Sequence, residues 1–489
     1  MIIGKLYTDI IFMQPTFLFY DYETFGISPS LDRPAQFAAI RTDMDFNIIE
    51  EPETIYCCLA NDYLPQPEAV LITGITPQIA QLRGINEARF TQRIHKKFCV
   101  PNTCIVGYNN ICFDDEISRN LFYRNFYDPY DWSWKHSNSR WDLLDVARAC
   151  YALRPHGIHW PKNHQGLPTF RLEKITQENQ IIHHSAHDAL SDVYATISLA
   201  KLIKKKQPKL YNFLYTHRQK HTLRTLINFS RIRSFVFVSS RFGTEKSNIT
   251  CVTPLAWHPN NKNTLIACDL GKDISPLTTL NADTSFQFSS NDYNLTNNSF
   301  NLPLQLIHIN KCPIIAPATV LRESDALRIG INLEYYANNL TQLLQYKKIQ
   351  EKVTQLYRTK TKHIQLGDID TQIYNGFFSY ADRSKISTIC HTSVENLSTL
   401  NLTFYDKRIE QLFFRFRARN FPDTLTPVEK MTWLKHRRTI LNPIYIQEYK
   451  NKIELLYIKY HTDPAKQAQL QALLNYTKDI EFSLSMESL

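Results

Sequence analysis

Continuous apolar runs and helical apolar spacing alternate along the first 200 residues and predict an α/β domain. The aromatic-rich run Thr16–Thr24 stops before Gly26 and has the length and composition of a buried strand. Similar runs at Gln36–Thr42, Thr54–Cys58 and Thr103–Tyr108 predict three further strands. The helical pattern occurs in five segments: Asn86–Phe98, Phe113–Phe126, Trp141–Ala152, Arg171–Asn179 and His187–Lys206. Strands that come first and then alternate with helices indicate a mixed sheet covered by helices.

The pattern changes after a lysine run and Pro208, which together end the last of these helices. Apolar runs at Ser234–Ser239, Thr264–Leu270 and Gln305–Ile309 predict strands, and the polar stretches between them predict long loops. From about Ile331 onwards the spacing is helical, with predicted helices at Lys347–Tyr357, Lys407–Arg417, Pro427–Leu441 and Ile446–Tyr460. A β-rich part and then an all-helical part therefore follow the α/β domain.

The charge of the chain is divided unevenly between these parts. Residues 1–200 carry a formal charge of −6 and residues 201–489 carry +16, which together make the net +10. An acidic segment joined to a strongly basic remainder suits a metal-binding catalytic domain with appendages that bind a polyanion. The charge alone is weak evidence, because many basic proteins never touch nucleic acid.

Cysteine spacing and hydropathy bear on the compartment. None of the ten cysteines forms a CxxC pair, which argues against a zinc or redox motif and favours a reduced, cytoplasmic protein. No segment approaches the ~20 apolar residues of a membrane helix. The first residues lack a signal-peptide cleavage site, so we expect residues 1–14 to form an N-terminal extension.

Two carboxylates lie at the end of the first predicted strand. Side chains alternate across a strand, so Asp21 and Glu23 project from the same face, ~7 Å apart along the chain. Facing carboxylates repel each other, and a divalent cation is a natural way to stabilise them. Alone, a D-x-E pair at a strand end is common by chance.

Two further motifs add acids and a histidine. Phe113, Asp114 and Asp115 begin a predicted helix, where acids also occur simply to complement the helix dipole. His187 and Asp192 open the last helix of the domain; a histidine accepts a proton near neutral pH, and an aspartate is an oxygen ligand. A histidine at such a position is also frequently just polar surface.

The order of these motifs resembles the DEDDh exonucleases, which have a ribonuclease H-like fold. The residues that match the family's D, E, D, H and D are Asp21, Glu23, Asp114, His187 and Asp192. The surrounding segments resemble the bacterial exodeoxyribonuclease I family more closely: DYETFG, LITGITP, NSRWDLLD and AHDALSDVYAT in the first domain, and PLAWHP, HINKCP, YNGFFS and RARNFP beyond it. This resemblance extends from about Thr16 to about Tyr476 and departs before Gln14 and in the loop 281–301.

The resemblance implies a domain order and an activity. We expect a DEDDh exonuclease domain at residues 15–206, an SH3-like domain at 207–360 and a C-terminal helical domain at 361–482. The expected activity is processive 3′→5′ degradation of single-stranded DNA to nucleoside 5′-monophosphates, in DNA repair and recombination. The outer domains would close a groove around the strand, and the protein would act as a monomer.

The resemblance also implies two Mg²⁺ ions per site, for which Mn²⁺ can substitute. Asp21 would bridge both ions, Glu23 and Asp192 would complete one site, and Asp114 would complete the other. A donor set of oxygens without cysteine agrees with these hard cations. His187 would be the general base that takes a proton from the attacking water.

Arginines and aromatic residues interleave between Arg119 and Arg148, as in a path for a single strand. The alternative, in which the aromatics are core and the arginines are solvated, has nearly equal weight for any one residue. By resemblance, the expected DNA contacts are Glu23, Phe25, Arg119, Tyr130, Trp134, Arg148, Arg171 and His187, with Phe25 stacked on the 3′-terminal base. Arg154 is the expected contact for the C-terminal tail of single-stranded DNA-binding protein.

Other functions remain open at this point. A DEDDh exoribonuclease and a proofreading exonuclease share the five residues, and a contact to the ribose 2′-OH is invisible in sequence. A non-catalytic single-strand-binding module is the alternative from a different class. The complete set of five residues argues against this last alternative, and the length of the chain beyond Pro208 argues against the first two.

Overall fold

The computed structural model describes residues 14–183, 187–229, 231–278, 302–346, 348–358 and 367–486. Most of the predicted extension and the whole loop 281–301 lie outside these ranges. In the part that is described, no helix combines the length and apolar character needed to cross a membrane.

The first domain is built on a mixed six-stranded sheet with the strand order β4-β3-β2-β1-β5-β6. Its elements in chain order are β1 Thr16–Thr24, β2 Pro34–Thr42, β3 Glu53–Cys57, α1 Pro67–Thr73, α2 Pro77–Arg83, β4 Gly84–Ile85, α3 Glu87–Phe98, β5 Thr103–Gly107, α4 Asp114–Arg124, β6 Ser139–Asp142, α5 Leu143–Leu153, α6 Leu172–Glu178 and α7 Ala189–Lys206. The central strand β1 is antiparallel to β2 and parallel to β5. The predicted mixed sheet with helices is confirmed.

The second domain contains an antiparallel five-stranded sheet with the order β10-β9-β8-β7-β11. Its elements are α8 Pro208–Thr216, α9 Lys220–Leu226, β7 Phe235–Val238, β8 Ile249–Trp257, β9 Thr264–Asp269, α10 Ser275–Thr278, β10 Leu304–His308, β11 Ile314–Pro317, α11 Glu323–Arg328, α12 Leu333–Gln345 and α13 Ile349–Leu356. The sequence analysis missed β8 and β11. Proline occurs in both, and in β8 the strand register shifts between Pro254 and Ala256.

The third domain is helical, as predicted. Its α-helices are α14 Tyr380–His391, α15 Lys407–Asn420, α16 Pro427–Ile440, α17 Pro443–Lys459 and α18 Pro464–Met486. The helix that begins at Pro427 has a capping box, in which the Thr426 hydroxyl accepts from the Glu429 N–H and the Glu429 carboxylate accepts from the Thr426 N–H.

Apolar side chains join the first two domains into a continuous core. Residues of β1 and α5, such as Phe19 and Val146, belong to the same buried cluster as Val236 of β7 and Val353 of α13. The third domain packs on the first at two places. Ile453 and Leu473 of α17 and α18 join a cluster around α1 and α2, and α15 joins a cluster that contains Tyr123 of α4.

A buried charge network also links the first and third domains. Asp370 Oδ2 is 2.6 Å from Arg419 Nη2 and 3.1 Å from Arg33 Nη2, and Arg419 also pairs with Asp62 at 2.8 Å. Burial alone would raise the pKa of Asp370, but Arg419, Arg33 and Arg415 hold this pKa well below its usual range. Asp370 is therefore an anionic centre that several buried arginines share across the domain contact.

Candidate active site

The end of β1 is open on one side. Pairing with β5 reaches only Phe19, whereas pairing with β2 continues to Glu23 opposite Gln36. Asp21 and Glu23 therefore lie on the central strand just beyond its last contact with β5. In α/β sheets this edge, outside the carboxyl ends of parallel strands, is the usual place for a ligand.

Helix α7 brings a third carboxylate to this edge. One carboxylate oxygen from each of Asp21, Glu23 and Asp192 lies within 4.8 Å of the other two. The helix begins at a cap in which the Asp188 side chain accepts from Ser191 N–H at 3.3 Å. Gln36 of β2 donates to the same Asp188 side chain at 3.4 Å and accepts from the Ala189 N–H at 3.2 Å, so the start of α7 is tied directly to the sheet.

The two adjacent aspartates of α4 have different surroundings. Asp115 is buried, pairs with Arg140 and accepts from Tyr20 Oη at 2.6 Å, so its role is structural. Asp114 instead accepts from the Tyr22 N–H at 3.3 Å, and no lysine or arginine of the described ranges pairs with it. The helix-dipole interpretation is therefore insufficient for Asp114, because this residue faces the strand that carries the other acids.

The turn that leads into α4 is held by Asp142 at the end of β6. Its carboxylate accepts from the Asn109 N–H at 2.9 Å and from the Ile111 N–H at 3.2 Å. The turn is also tight: a Cβ atom on Gly107 would lie 2.7 Å from Asn110 Cβ, so only glycine fits there. These contacts fix the direction in which α4 leaves the sheet and hence the position of Asp114.

Burial and the negative charges of neighbouring carboxylates raise the pKa values of the clustered acids. Burial, followed by Asp192, Asp114 and Asp188, raises the pKa of Glu23 to about 9. Burial and the neighbouring acids Asp114 and Glu23 also raise the pKa of Asp21. Burial, followed by Asp115, raises the pKa of Asp114 to about 7. Carboxylates that lie this close together fit a divalent cation, because its positive charge would lower their pKa values and favour the ionised forms.

His187 lies beside the acids on the wall of an open cleft. It immediately precedes the cap of α7, has a backbone φ of 65° and is exposed. The cleft has a volume of about 650 Å³, and Asp21 and Asp192 line it together with His187. A left-handed backbone is uncommon for a residue other than glycine and here presents the imidazole at the mouth of the site.

Two further predicted DNA contacts line the same cleft as His187. Arg148 and Arg171 lie on its wall, and Arg148 pairs with Asp145 at 2.7 Å. The second domain contributes Thr244 and Asn248, which the sequence analysis did not identify. The cleft therefore combines an acidic floor, two arginines and a wall from the SH3-like domain.

Three more predicted contacts, Arg119, Tyr130 and Trp134, do not line this cleft. Tyr130 borders a second cavity of about 620 Å³ between the first and third domains, with its ring 5.7 Å from that of Phe377. Arg119 is buried, pairs with Glu116 at 2.5 Å and lies 5.7 Å from the centre of the Tyr130 ring. Trp134 is 66% exposed. Arg119 is thus placed to support Tyr130, whereas Tyr130 and Trp134 have accessible surfaces.

Phe25, which is predicted to stack on a base, lies in the core of this structure. Its ring is only 1% exposed and belongs to a core cluster with Leu64 and Val70. Strand alternation would place it on the face of Asp21, but the register shifts between Glu23 and Thr24 and redirects the chain. Stacking on a base would require Phe25 to leave this core.

Arg154 lies at the junction of the first two domains. Its guanidinium donates to the Val320 carbonyl at 3.0 Å and lies 3.7 Å from Asp325 Oδ2. Burial, followed by Arg322, lowers its pKa. Arg154 therefore uses part of its guanidinium to bind the second domain, and Arg322 adds positive charge nearby.

A histidine that the sequence analysis missed also contacts the site. His183 Nε2 lies 2.5 Å from Asp192 Oδ1. It precedes His187 by four residues in a histidine-rich segment, and no spacing rule for the motif includes it. Only the folded chain shows that His183 contacts Asp192, a predicted metal ligand.

Three family models match the chain in sequence. They are Exonuclease at residues 18–200, Exonuclease I SH3-like domain at 218–359 and Exonuclease I C-terminal domain at 367–480. Exodeoxyribonuclease I of Escherichia coli K12 is 53% identical over 467 residues, covering 96% of this chain and 98% of the relative. Exodeoxyribonuclease I of Haemophilus influenzae is 46% identical over 463 residues, covering 94% and 98%.

Solved structures agree with these matches. The E. coli exonuclease I complex with a dA16 oligonucleotide superposes with a TM-score of 0.90 at 53% identity, covering 96% of this chain and all of the other. A complex described as ExoI/SSB-Ct gives 0.88 at 52% identity, and a zinc-bound ExoI–ssDNA complex gives 0.88 at 53%, each with the same coverage. The expected SH3-like and C-terminal domains are thus confirmed in kind and order. The chain is an exonuclease and belongs to the exodeoxyribonuclease I family.

Proposed function

We propose that the protein degrades single-stranded DNA processively from its 3′ end and releases nucleoside 5′-monophosphates. The observation that carries this proposal is the cluster of Asp21, Glu23 and Asp192, which each offer an oxygen within 4.8 Å of the others. Asp21 and Asp192 also line a cleft that contains two arginines. The E. coli relative is described in complex with single-stranded oligonucleotides. Domains specific to exonuclease I favour DNA degradation over oligoribonuclease or proofreading activity.

The acids at the end of β1 fit a pair of divalent cations, which we propose to be Mg²⁺, with Mn²⁺ as a substitute. Asp21 would hold both ions, Glu23 and Asp192 one of them, and Asp114 the other. Such ions, when bound, orient and activate water and neutralise charge at the scissile phosphate. The oxygen donors and the absence of an arginine or lysine partner for Asp21, Glu23 and Asp114 in the described ranges support this assignment.

The side chains around the acids have separate tasks in this proposal. His187 accepts a proton from the attacking water, because it lies exposed beside Asp21 and Asp192. Arg148 and Arg171 neutralise phosphates on the cleft wall, and Tyr130 and Trp134 offer ring surfaces to bases further along the strand. One chain supplies all of these groups, which agrees with a monomer.

His187→Ala is expected to slow hydrolysis by about 10²–10⁴-fold, the usual contribution of a general base. Raising the pH should restore part of the rate, because hydroxide can replace the missing base. The measurement is the single-turnover rate across pH, together with Mn²⁺ binding. A loss of bound metal as large as that of Asp21→Ala would show that His187 is a ligand and not a base.

We also propose that the protein binds the C-terminal tail of single-stranded DNA-binding protein, as the ExoI/SSB-Ct complex suggests. Arg154 is a candidate contact, since it lies at a domain junction beside Arg322. This partner would bring the enzyme to single-stranded DNA during repair and recombination.

The proposed activity is tested with one 5′-labelled strand supplied as single-stranded DNA, as a blunt duplex and as RNA. We expect a ladder that shortens from the 3′ end on single-stranded DNA only, and complete inhibition by EDTA. Immediate release of the label as a mononucleotide would indicate the opposite polarity. Equal degradation of RNA would favour the exoribonuclease alternative.

A further inference from the structure

We propose that His183 is a positioning residue for the metal ligand Asp192. It would hold one carboxylate oxygen of Asp192 so that the other oxygen is directed towards Asp21 and Glu23. This inference rests on the proposed function, in which Asp192 binds a divalent cation. It adds a residue outside the five of the motif.

Both nitrogens of the His183 ring are engaged. Nε2 lies 2.5 Å from Asp192 Oδ1, and Nδ1 lies 3.1 Å from Thr176 Oγ1. The Thr176 hydroxyl is itself fixed, because it lies 3.0 Å from the carbonyl oxygens of both Leu172 and Glu173. The ring is therefore held between the Thr176 hydroxyl of α6 and Asp192 in the first turn of α7.

The surroundings of His183 make this contact specific. Its side chain is only 6% exposed, although the residue lies in the segment between α6 and α7. Thr176 is fully buried, so the hydroxyl that contacts His183 Nδ1 cannot move independently of the core. His187, by contrast, is exposed and faces the cleft. The two histidines thus have separate tasks: His183 positions the metal ligand Asp192, and His187 accepts a proton from the attacking water.

The geometry explains why Asp192 needs such support. A carboxylate in the first turn of a helix can rotate, and its neighbours Asp21 and Glu23 repel it when no cation is bound. A hydrogen bond to one oxygen fixes the rotation and leaves the other oxygen free for a metal. Partners of this kind behind metal ligands typically change metal affinity or activity by about 10–100-fold when they are removed.

The test is Mn²⁺ binding to the full chain without DNA, measured from the free Mn²⁺ signal in electron paramagnetic resonance. We expect His183→Ala to weaken binding by about 10–100-fold. His183→Gln retains an N–H donor of similar reach and should recover most of the affinity. Thr176→Val removes the hydroxyl that contacts His183 Nδ1 and should weaken Mn²⁺ binding to an intermediate extent. His461→Ala, which changes an exposed histidine between α17 and α18, is the matched control and should bind as the wild type does.

A second readout separates positioning from general structural damage. At saturating Mn²⁺, His183→Ala should recover most of its rate with an unchanged KM for DNA, because only ligand orientation has been weakened. Wild-type Mn²⁺ affinity in His183→Ala would overturn the inference, and so would a rate loss that metal does not restore. If His183→Ala does not fold, the same two readouts on His183→Gln and Thr176→Val decide the question.

Asp192→Ala distinguishes a failure of this inference from a failure of the proposed function. Weak Mn²⁺ binding in Asp192→Ala together with normal binding in His183→Ala would leave the metal site intact and remove only the role of His183. Normal binding in Asp192→Ala would show that this aspartate is not a ligand, and both proposals would then fall.

Discussion

Alanine at Asp21, Glu23, Asp114 or Asp192 is expected to reduce hydrolysis of single-stranded DNA by at least about 10³-fold. A divalent cation supplies several kcal/mol of transition-state stabilisation, and each ~1.4 kcal/mol corresponds to a factor of ten in rate. Each of these acids lies at the end of β1 or faces it, and three of them lie within 4.8 Å of one another.

The same substitutions should leave binding of the strand nearly intact. Most of the expected DNA contacts are arginines and aromatic residues, and removing a negative charge does not weaken attraction to a polyanion. The measurement pairs single-turnover rates with fluorescence anisotropy of a labelled oligonucleotide in EDTA. Asp45→Ala is the matched control, since Asp45 belongs to the same domain and its side chain is 81% exposed. Normal turnover in any of the four variants would remove that residue from the site.

Asp370→Ala is expected to shorten the run of nucleotides removed per binding event. The substitution leaves Arg33 and Arg419 buried across the domain contact without their shared anion, a loss that typically costs about 3–5 kcal/mol. If even ~1.4 kcal/mol of this cost weakens closure around the strand, release becomes about tenfold faster. The chemical step should change little, because Asp370 does not line the catalytic cleft.

The run length is measured on a long single strand in the presence of a heparin trap, with thermal unfolding as the check on folding. Asp423→Ala is the control, because Asp423 is an exposed aspartate of the same domain.

The +16 charge of residues 201–489 also predicts that affinity for the strand falls steeply with salt, by roughly 0.7 log units of affinity per log unit of salt for each phosphate contacted. In the run-length experiment, wild-type run lengths in Asp370→Ala would contradict the closed groove.

A shortened chain is a poorer test of processivity than this substitution. Sequence considerations place a domain boundary near Pro208, but the first domain shares a continuous buried cluster with β7, β8 and α13 of the second. A chain cut at that boundary would expose this core, and a loss of processivity could then result from partial unfolding.

Residues with strong local signals were predictable from sequence. The aromatic run of β1, the acids at its end and the helix from Ala189 to Lys206 all lie where periodicity and spacing place them. Alternation of side chains on a strand correctly predicts that Asp21 and Glu23 share a face. These features depend on a few neighbouring residues, and for this reason a single sequence suffices.

Features that depend on distant contacts were not predictable. Phe25 follows the strand pattern, yet a shift in register redirects it into a core formed with Leu64 and Val70. Strand β8 contains Pro254, and a proline usually argues against a central strand; the structure accommodates it at a register shift. The contact of His183 with Asp192 requires α6 to supply Thr176, and no motif contains all three residues.

The position of Mn²⁺ and of a 3′ end relative to the acids tests the account most directly. The measurement is the anomalous difference map of crystals grown with Mn²⁺ and a single-stranded oligonucleotide that carries a non-hydrolysable 3′-terminal linkage. We predict one Mn²⁺ bound by the carboxylates of Asp21, Glu23 and Asp192, and a second bound by Asp21 and Asp114. The 3′-terminal linkage should lie in the same cleft, with His187 beside it. Manganese bound elsewhere, or a 5′ end in this cleft, would contradict the account.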